Sequence, residues 1–227
     1  MPIQKDAKKF LLFEKSYWNY FLELEEQFLE TRKYVAFDTV NYSTYSLEYL
    51  KLLEAVCSEI DVVGKEIAHQ IDPSFKKDDR YTNIRKWWFT IQQWYAENTL
   101  EPVKILDELE FDPWKGFEVE AYTDKNGRTG TRLKEKSTTP QWWIAYNKVK
   151  HNRTLDDPET DGKYFNRANL GNLCNAFSAL YLLEKKYMRS VGRDQDYNRA
   201  KKSELFEREK PSLYWDNDGN LCQIDEE

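Results

Sequence analysis

From Lys5 to Phe37, apolar or aromatic residues fall at Phe10, Phe13, Tyr17, Tyr20, Leu24 and Phe28. Steps of three and four put them on one helical stripe, with Glu14, Lys15, Glu23, Glu25, Glu26 and Glu30 mostly off it. Polar residues from Asp38 to Tyr45 interrupt the pattern and predict a loop, with Ser43 or Thr44 capping the next helix. The second stripe is Leu50, Leu53, Cys57, Ile60, Gly64, Ile67 and Ile71, and Pro73 ends it. Its spacing is a heptad-like seam of the sort antiparallel helix pairs use. Gly64 costs about 1 kcal/mol of helix propensity against Ala, so another element is expected to approach closely there. Nearby, Glu59, Asp61, Lys65 and Glu66 read as ordinary i,i+4 surface pairs. A third helix, Arg80 to Asn98, carries Ile84, Trp87, Trp88, Ile91, Trp94 and Tyr95 at helical spacing.

The pattern then changes. Phe117, Val119 and Ala121 alternate with charged residues before Asp124-Lys125-Asn126-Gly127. An Asn-Gly turn between alternating runs predicts a β-hairpin at about 117–135. Pro140 opens a short helix, Gln141 to Arg153. Asp156 to Gly162 reads as a loop, and a long helix follows from Tyr164 to Met188 with the stripe Leu173, Ala176, Phe177, Leu180, Leu183 and Tyr187. Another small hairpin is expected around Asp216-Asn217-Asp218-Gly219. Together these elements predict an all-α fold, an up-and-down helical bundle with a small inserted β-hairpin. The bundle spans 1–188 with its insert at about 101–139, and 189–227 is a charged C-terminal extension.

Composition narrows the function. Eight Gly and seven Pro in 227 residues disfavour an all-β sandwich or a disordered chain. No stretch approaches the roughly 18 apolar residues of a membrane span, and Met1 to Lys5 lacks a signal-peptide core. Cys57, Cys174 and Cys222 share no metal or disulfide spacing, which suits a reducing cytoplasm. No phosphate-binding Gly loop, dinucleotide fingerprint, zinc-protease motif or nucleophile elbow is present, so no metal or cofactor is expected. Asp156-Asp157 and Asp216-Asn217-Asp218 resemble calcium loops only loosely.

The net charge of −6 argues against a basic coat for bulk DNA binding, but the charge is unevenly spread. Between Arg128 and Arg153, seven Lys or Arg face one acid, Glu135. Such a patch attracts phosphate, and Arg128, Arg132, Lys148 and Lys150 are the candidate RNA contacts. On the helix from Gln141, the residues Trp143, Asn147 and His151 line up at i, i+4 and i+8, while Trp142, Ala145 and Val149 face the core. Neutral imidazole at His151 can take a proton from a ribose 2′-hydroxyl. Arg153 or Lys150 can stabilise the developing phosphorane, and Asn147 can orient phosphate or ring. His151, Asn147 and Arg153 are therefore the catalytic candidates. A histidine near the last carbonyls of a helix is also a common cap, and His69 at the end of the second helix reads as surface or loop packing. The tryptophans at 87, 88, 94, 142 and 143 suit a core, with base stacking or a ligand pocket as the alternatives.

Two stretches carry a family resemblance. Tyr49-Leu50-Lys51-Leu52-Leu53-Glu54-Ala55-Val56-Cys57-Ser58-Glu59-Ile60-Asp61 looks like an opening helix. Asn147-Lys148-Val149-Lys150-His151-Asn152-Arg153, followed by Arg167-Ala168-Asn169-Leu170-Gly171-Asn172-Leu173-Cys174-Asn175-Ala176-Phe177-Ser178-Ala179-Leu180, looks like the closing part. The chain thereby resembles the HEPN superfamily of small helical bundles. That resemblance implies a metal-independent endoribonuclease of a toxin–antitoxin or antiphage system. It also implies a homodimer whose two copies build one RNA-cleaving cleft, and an antitoxin or defence partner protein. The alternative is a non-catalytic interaction or regulatory module. The family motif is Arg, four to six residues, then His. His151 matches the histidine, whereas the positions for Arg hold Ile144, Ala145 and Tyr146.

Overall fold

A computed structural model describes residues 5–80, 82–96, 102–207, 213–215 and 221–223. The first helical segment starts at α1 (Ala7–Phe13), capped by Asp6, whose carboxylate accepts from Lys8 N at 2.8 Å. A π-helical turn, Glu14–Trp18, leads into α2 (Asn19–Glu30). The wider π turn shifts the helical phase by about one residue. Tyr20, expected on the buried stripe, is therefore exposed, while Trp18 and Phe21 are fully buried. The segment tightens to a 3₁₀ turn at Thr31–Lys33 and stops short of Phe37. Next comes α3 (Leu47–Ile71). Its cap is Ser46, not Ser43 or Thr44, and the Ser46 hydroxyl oxygen accepts from Tyr49 N at 3.0 Å.

The centre of the molecule is α6 (Leu170–Val191), started by Asn169 and buried almost all round from Ala176 to Met188. It begins after a 3₁₀ turn at Tyr164–Arg167, so the long helix expected from Tyr164 starts later. α3 packs against both α6 and α4 (Ile84–Ala96). At that contact a Cβ on Gly64 would lie 2.8 Å from the Trp87 ring. Trp87 Nε1 also donates to Asp61 Oδ1 at 2.9 Å. The seam glycine is thus explained by the indole laid against it. Gly64→Ala should lose roughly 1–3 kcal/mol in urea unfolding, because the added methyl overpacks the ring. A gain in stability, which helix propensity alone would give, would reject this contact.

The all-α expectation is overturned. Among the described residues there are three two-stranded antiparallel ribbons, so the fold mixes α and β. They are β1 (Val103–Ile105) with β2 (Leu109–Phe111), β3 (Val119–Thr123) with β4 (Thr129–Leu133), and β5 (Leu213–Trp215) with β6 (Leu221–Gln223). The β3–β4 hairpin turns through Gly127 at φ +76, a left-handed conformation that glycine adopts without strain. The β1–β2 ribbon carried no such signal. Its strands are too short for alternation to register, and its turn places Leu106 and Asp107, not glycines, at positive φ. Nor is the insert an appendage. Ile105, Phe111, Trp114, Phe117 and Val119 are buried in the common core. Trp114 stacks on Trp88 at 4.3 Å, and Trp88 Nε1 donates to Phe117 O at 2.8 Å.

The boundary read at 188/189 falls inside α6. After α7 (Asp194–Arg199) the chain returns to the core. Lys201 O accepts from Trp18 Nε1 at 2.8 Å, and Leu205 O accepts from Leu106 N at 2.9 Å. The buried Glu25 carboxylate accepts from Ser203 Oγ, Glu204 N and Leu205 N. Among the described residues, no helix is long and apolar enough to cross a membrane.

Candidate functional site

The candidate residues sit on and around α5 (Gln141–Asn152), which begins after Pro140. Trp142, Ala145 and Val149 are buried, as their stripe predicts, and Tyr146 is buried beside them. Trp142 is fixed further by its Nε1, which donates to Pro113 O at 3.0 Å. Burying this face turns the Trp143, Asn147 and His151 stripe outward. His151 is exposed in the last turn, and its imidazole has no hydrogen bond or ion pair to any described residue.

The neighbours of His151 are less free. Asn147 Nδ2 donates to Trp143 O at 2.8 Å, which leaves Oδ1 open. Lys150 Nζ donates to Tyr146 OH at 3.0 Å and lies 5.2 Å from that ring. The hydrogen bond to Tyr146, with Asp61 and Glu54 nearby, holds this ammonium above the ordinary lysine value. Lys148 Nζ lies 4.8 Å over the Tyr164 ring. Arg153 is ion-paired with Glu54 of α3 at 2.9 Å.

The cationic patch is weaker than its count suggests. Glu118 and Glu120 lie just outside the basic window, Glu120 on β3 and Glu118 immediately before it. Arg132 pairs with Glu120 at 2.8 Å and Lys134 with Glu118 at 2.6 Å. With Arg153 on Glu54, three of the seven cations are already neutralised. Nor does the fold gather all the candidates in one place. The hairpin docks on α4, where the Gln92 amide exchanges two hydrogen bonds with the Val119 backbone, at 2.6 and 3.0 Å. The His151 end of α5 instead lies against α3 and the Tyr164–Arg167 turn. Arg128 and Arg132 therefore belong to a different surface element from Lys148, Lys150 and His151.

The loop after α5 is held by its own charges. Asp157 is buried and takes two bonds from Arg167 at 2.5 and 2.7 Å, and Glu159 takes a third at 2.8 Å. The Arg167 guanidinium pulls the Asp157 carboxyl down to about 2. Asp156 is paired with Lys163. The carboxylates of the calcium-like pair are thus committed to cations, while 216–218 lie outside the described residues. His69 Nδ1 donates to Phe75 O at 2.9 Å and anchors the turn after α3. Among the described residues, no group of three or more His, Cys, Asp and Glu side chains is placed to hold a metal ion.

Three side chains had no local sequence signal. Arg85, in the first turn of α4, faces Trp143, Asn147 and Lys148 across a groove of about 430 Å³. The tertiary fold places positions 85 and 148 on one groove, and no spacing in the sequence links them. The second and third are Glu59 and Glu184. Glu59 is not a surface partner of the Asp61–Lys65 pair but is 8% exposed, and Glu184 of α6 is 0% exposed. Compared with known proteins, the chain matches no family model, and no curated protein or solved structure is significantly similar to it.

Proposed function

We propose that this protein binds RNA along α5 and cuts it without metal, as an endoribonuclease related to the HEPN superfamily. The observation that carries the reading is the exposed, unpartnered imidazole of His151, flanked on the same helix by Lys148 and Lys150. The imidazole takes the 2′-hydroxyl proton, and the 2′-oxygen attacks the adjacent phosphorus. The bond to the 5′-oxygen breaks, leaving a 2′,3′-cyclic phosphate, and the departing oxygen is protonated from solvent. Lys150 supplies positive charge to the phosphorane, and the open Oδ1 of Asn147 can accept from a sugar hydroxyl. The remaining donors of Arg153 can reach phosphate while Glu54 fixes its orientation.

A homodimer fits the same end of α5. Leu47, Leu155 and Tyr45 are 76%, 56% and 47% exposed. Tyr45 packs edge-on against Phe165, whose N–H donates to Arg153 O, so this apolar surface adjoins the site. A mate seated there brings a second His151 into one cleft, and an antitoxin or defence partner would cover the same surface. A cytoplasmic setting accords with the buried free thiols of Cys57 and Cys174. The Arg153–Glu54 pair favours a second reading, a non-catalytic RNA-binding or regulatory module, because it engages one of the cations proposed to act with His151.

The test is purified protein with mixed RNAs in EDTA. Cleavage to cyclic-phosphate ends is expected, and inhibition by the chelator would contradict the mechanism. RNA bound but never cut selects the second reading. Binding should weaken with salt by a slope of about −0.7 per phosphate contacted on a single strand. Affinity insensitive to salt removes RNA binding from either reading.

A further inference from the structure

We infer that the groove between the first turn of α4 and the outer face of α5 is a nucleotide subsite for single-stranded RNA beside His151. The inference rests on the RNA-binding reading and names where one flanking nucleotide sits. Three features converge on the groove.

First, Trp143 is set apart from its neighbours. Trp18, Trp87, Trp88, Trp114 and Trp142 each donate their indole N–H to a protein oxygen. Trp143 lines the groove, is only partly buried, and donates its indole N–H to no described residue. Its ring is held from behind, edge-on against Trp142 at 5.8 Å and tilted against Tyr146 at 5.2 Å. A fixed ring with an open side and an idle donor is a stacking platform.

Second, the rim is cationic. Arg85 of α4 and Lys148 of α5 both line the groove, and neither has a carboxylate partner among the described residues. These cations contrast with Arg132, Lys134 and Arg153, which are ion-paired with Glu120, Glu118 and Glu54. Asn83 caps α4 by accepting from Arg85 N and Lys86 N, at 3.1 and 3.3 Å, so the positive end of a 13-residue helix also points at the groove.

Third, the groove runs toward the proposed chemistry. Asn147 and Lys148 lie in it, and His151 is their i+4 and i+3 neighbour, with Cβ atoms about 5–6 Å away. A base on Trp143, with its phosphate between Arg85 and Lys148, directs the next phosphodiester along α5 to the imidazole. Stacking tolerates any base, so sequence preference at this position should be weak. Duplex RNA, whose bases are already stacked on each other, should bind worse than a single strand.

The experiment measures binding of a fluorescein-labelled single-stranded RNA, and of its duplex, to the full chain and variants over a range of salt. Arg85→Gln with Lys148→Gln should lower affinity at least tenfold and flatten the salt slope by about 0.7, the worth of the one phosphate held between them. Trp143→Ala should weaken binding roughly 5- to 150-fold, with Trp143→Phe restoring most of it. The Phe variant and the melting temperatures separate loss of the platform from loss of fold. Salt-dependent RNA binding that is unmoved in all these variants overturns the groove and leaves the RNA reading standing. Loss of affinity in the groove variants without any cleavage by wild type supports the subsite and overturns only the nuclease. No RNA binding by wild type overturns both.

Discussion

Glu184→Gln should make the protein more stable at pH 7–8, and the gain should vanish as the pH falls to about 4. The cause is a carboxyl group at the centre of the molecule. Glu184 is 0% exposed, and neither of its oxygens has a hydrogen-bond partner among the described residues. Burial pushes it well above the ordinary glutamate range, and Glu59 on α3 pushes it further. Glu59 is itself raised by burial to about 7, with Oε1 unpartnered. The other titratable groups around this node are Tyr17 on the π turn, Tyr187 on α6 and Glu66 on α3. Glu66 is committed to Lys77, and among the described residues no cation acts on Glu59 or Glu184.

The sign follows from linkage. Below about 4.5 both folded and unfolded chains hold the proton, and the buried pair carries no ionic penalty. As the pH rises past that value the unfolded chain releases its protons first, and stability falls by roughly 1.4 kcal/mol per pH unit for each group. For Glu59 the window runs from 4.5 to about 7, a loss of about 3 kcal/mol. For Glu184 the fall continues to higher pH. Removing either acid relieves the other, so Glu59→Gln with Glu184→Gln should gain less than the sum of the single changes. Urea unfolding from pH 4 to 8.5 reads all of this directly. A loss of stability in Glu184→Gln at every pH would mean that the carboxylate has a counter-charge, and the idea of an uncompensated acid would fall.

This node also marks where the sequence stops being informative. The α3 seam reads cleanly because each of its apolar positions from Leu50 to Ile67 faces another element, and buried surface has a period. α6 has no polar face to give it one, so Glu184, Lys185 and Lys186 look like solvent positions until the packing is known. Lys185 is resolved by Glu207, 22 residues onward, at 2.7 Å. The π turn defeats a fixed period in the same way, since one extra residue moves the stripe from Tyr20 to Phe21. At the site, the α5 stripe and the exposure of His151 were legible because both are properties of one helix. The pairing of Arg153 with Glu54 and the facing of Arg85 by Lys148 were not. Each joins residues more than sixty positions apart, and only tertiary packing sets such pairs.

His151→Ala should reduce RNA cleavage roughly 10²- to 10⁴-fold, the usual worth of a general base, while leaving thermal stability within about 0.5 kcal/mol of wild type. The two halves of this expectation rest on one feature. The imidazole is exposed and touches no described partner, so its removal opens no cavity and strands no donor. A capping role makes the opposite pairing of results, because a side chain that serves the last carbonyls of a helix gives up about 0.3–1 kcal/mol when truncated. Arg153→Ala is the useful companion. Its half-exposed pair with Glu54 is worth at most about 1 kcal/mol, so a large loss of rate there with little loss of stability would place the guanidinium on the phosphate. If His151→Ala instead costs more than about 0.5 kcal/mol and wild type never cuts RNA in EDTA, the histidine is a helix terminator and the protein a binding module. Stability and rate therefore have to be measured on the same variants, since each result alone is compatible with both roles.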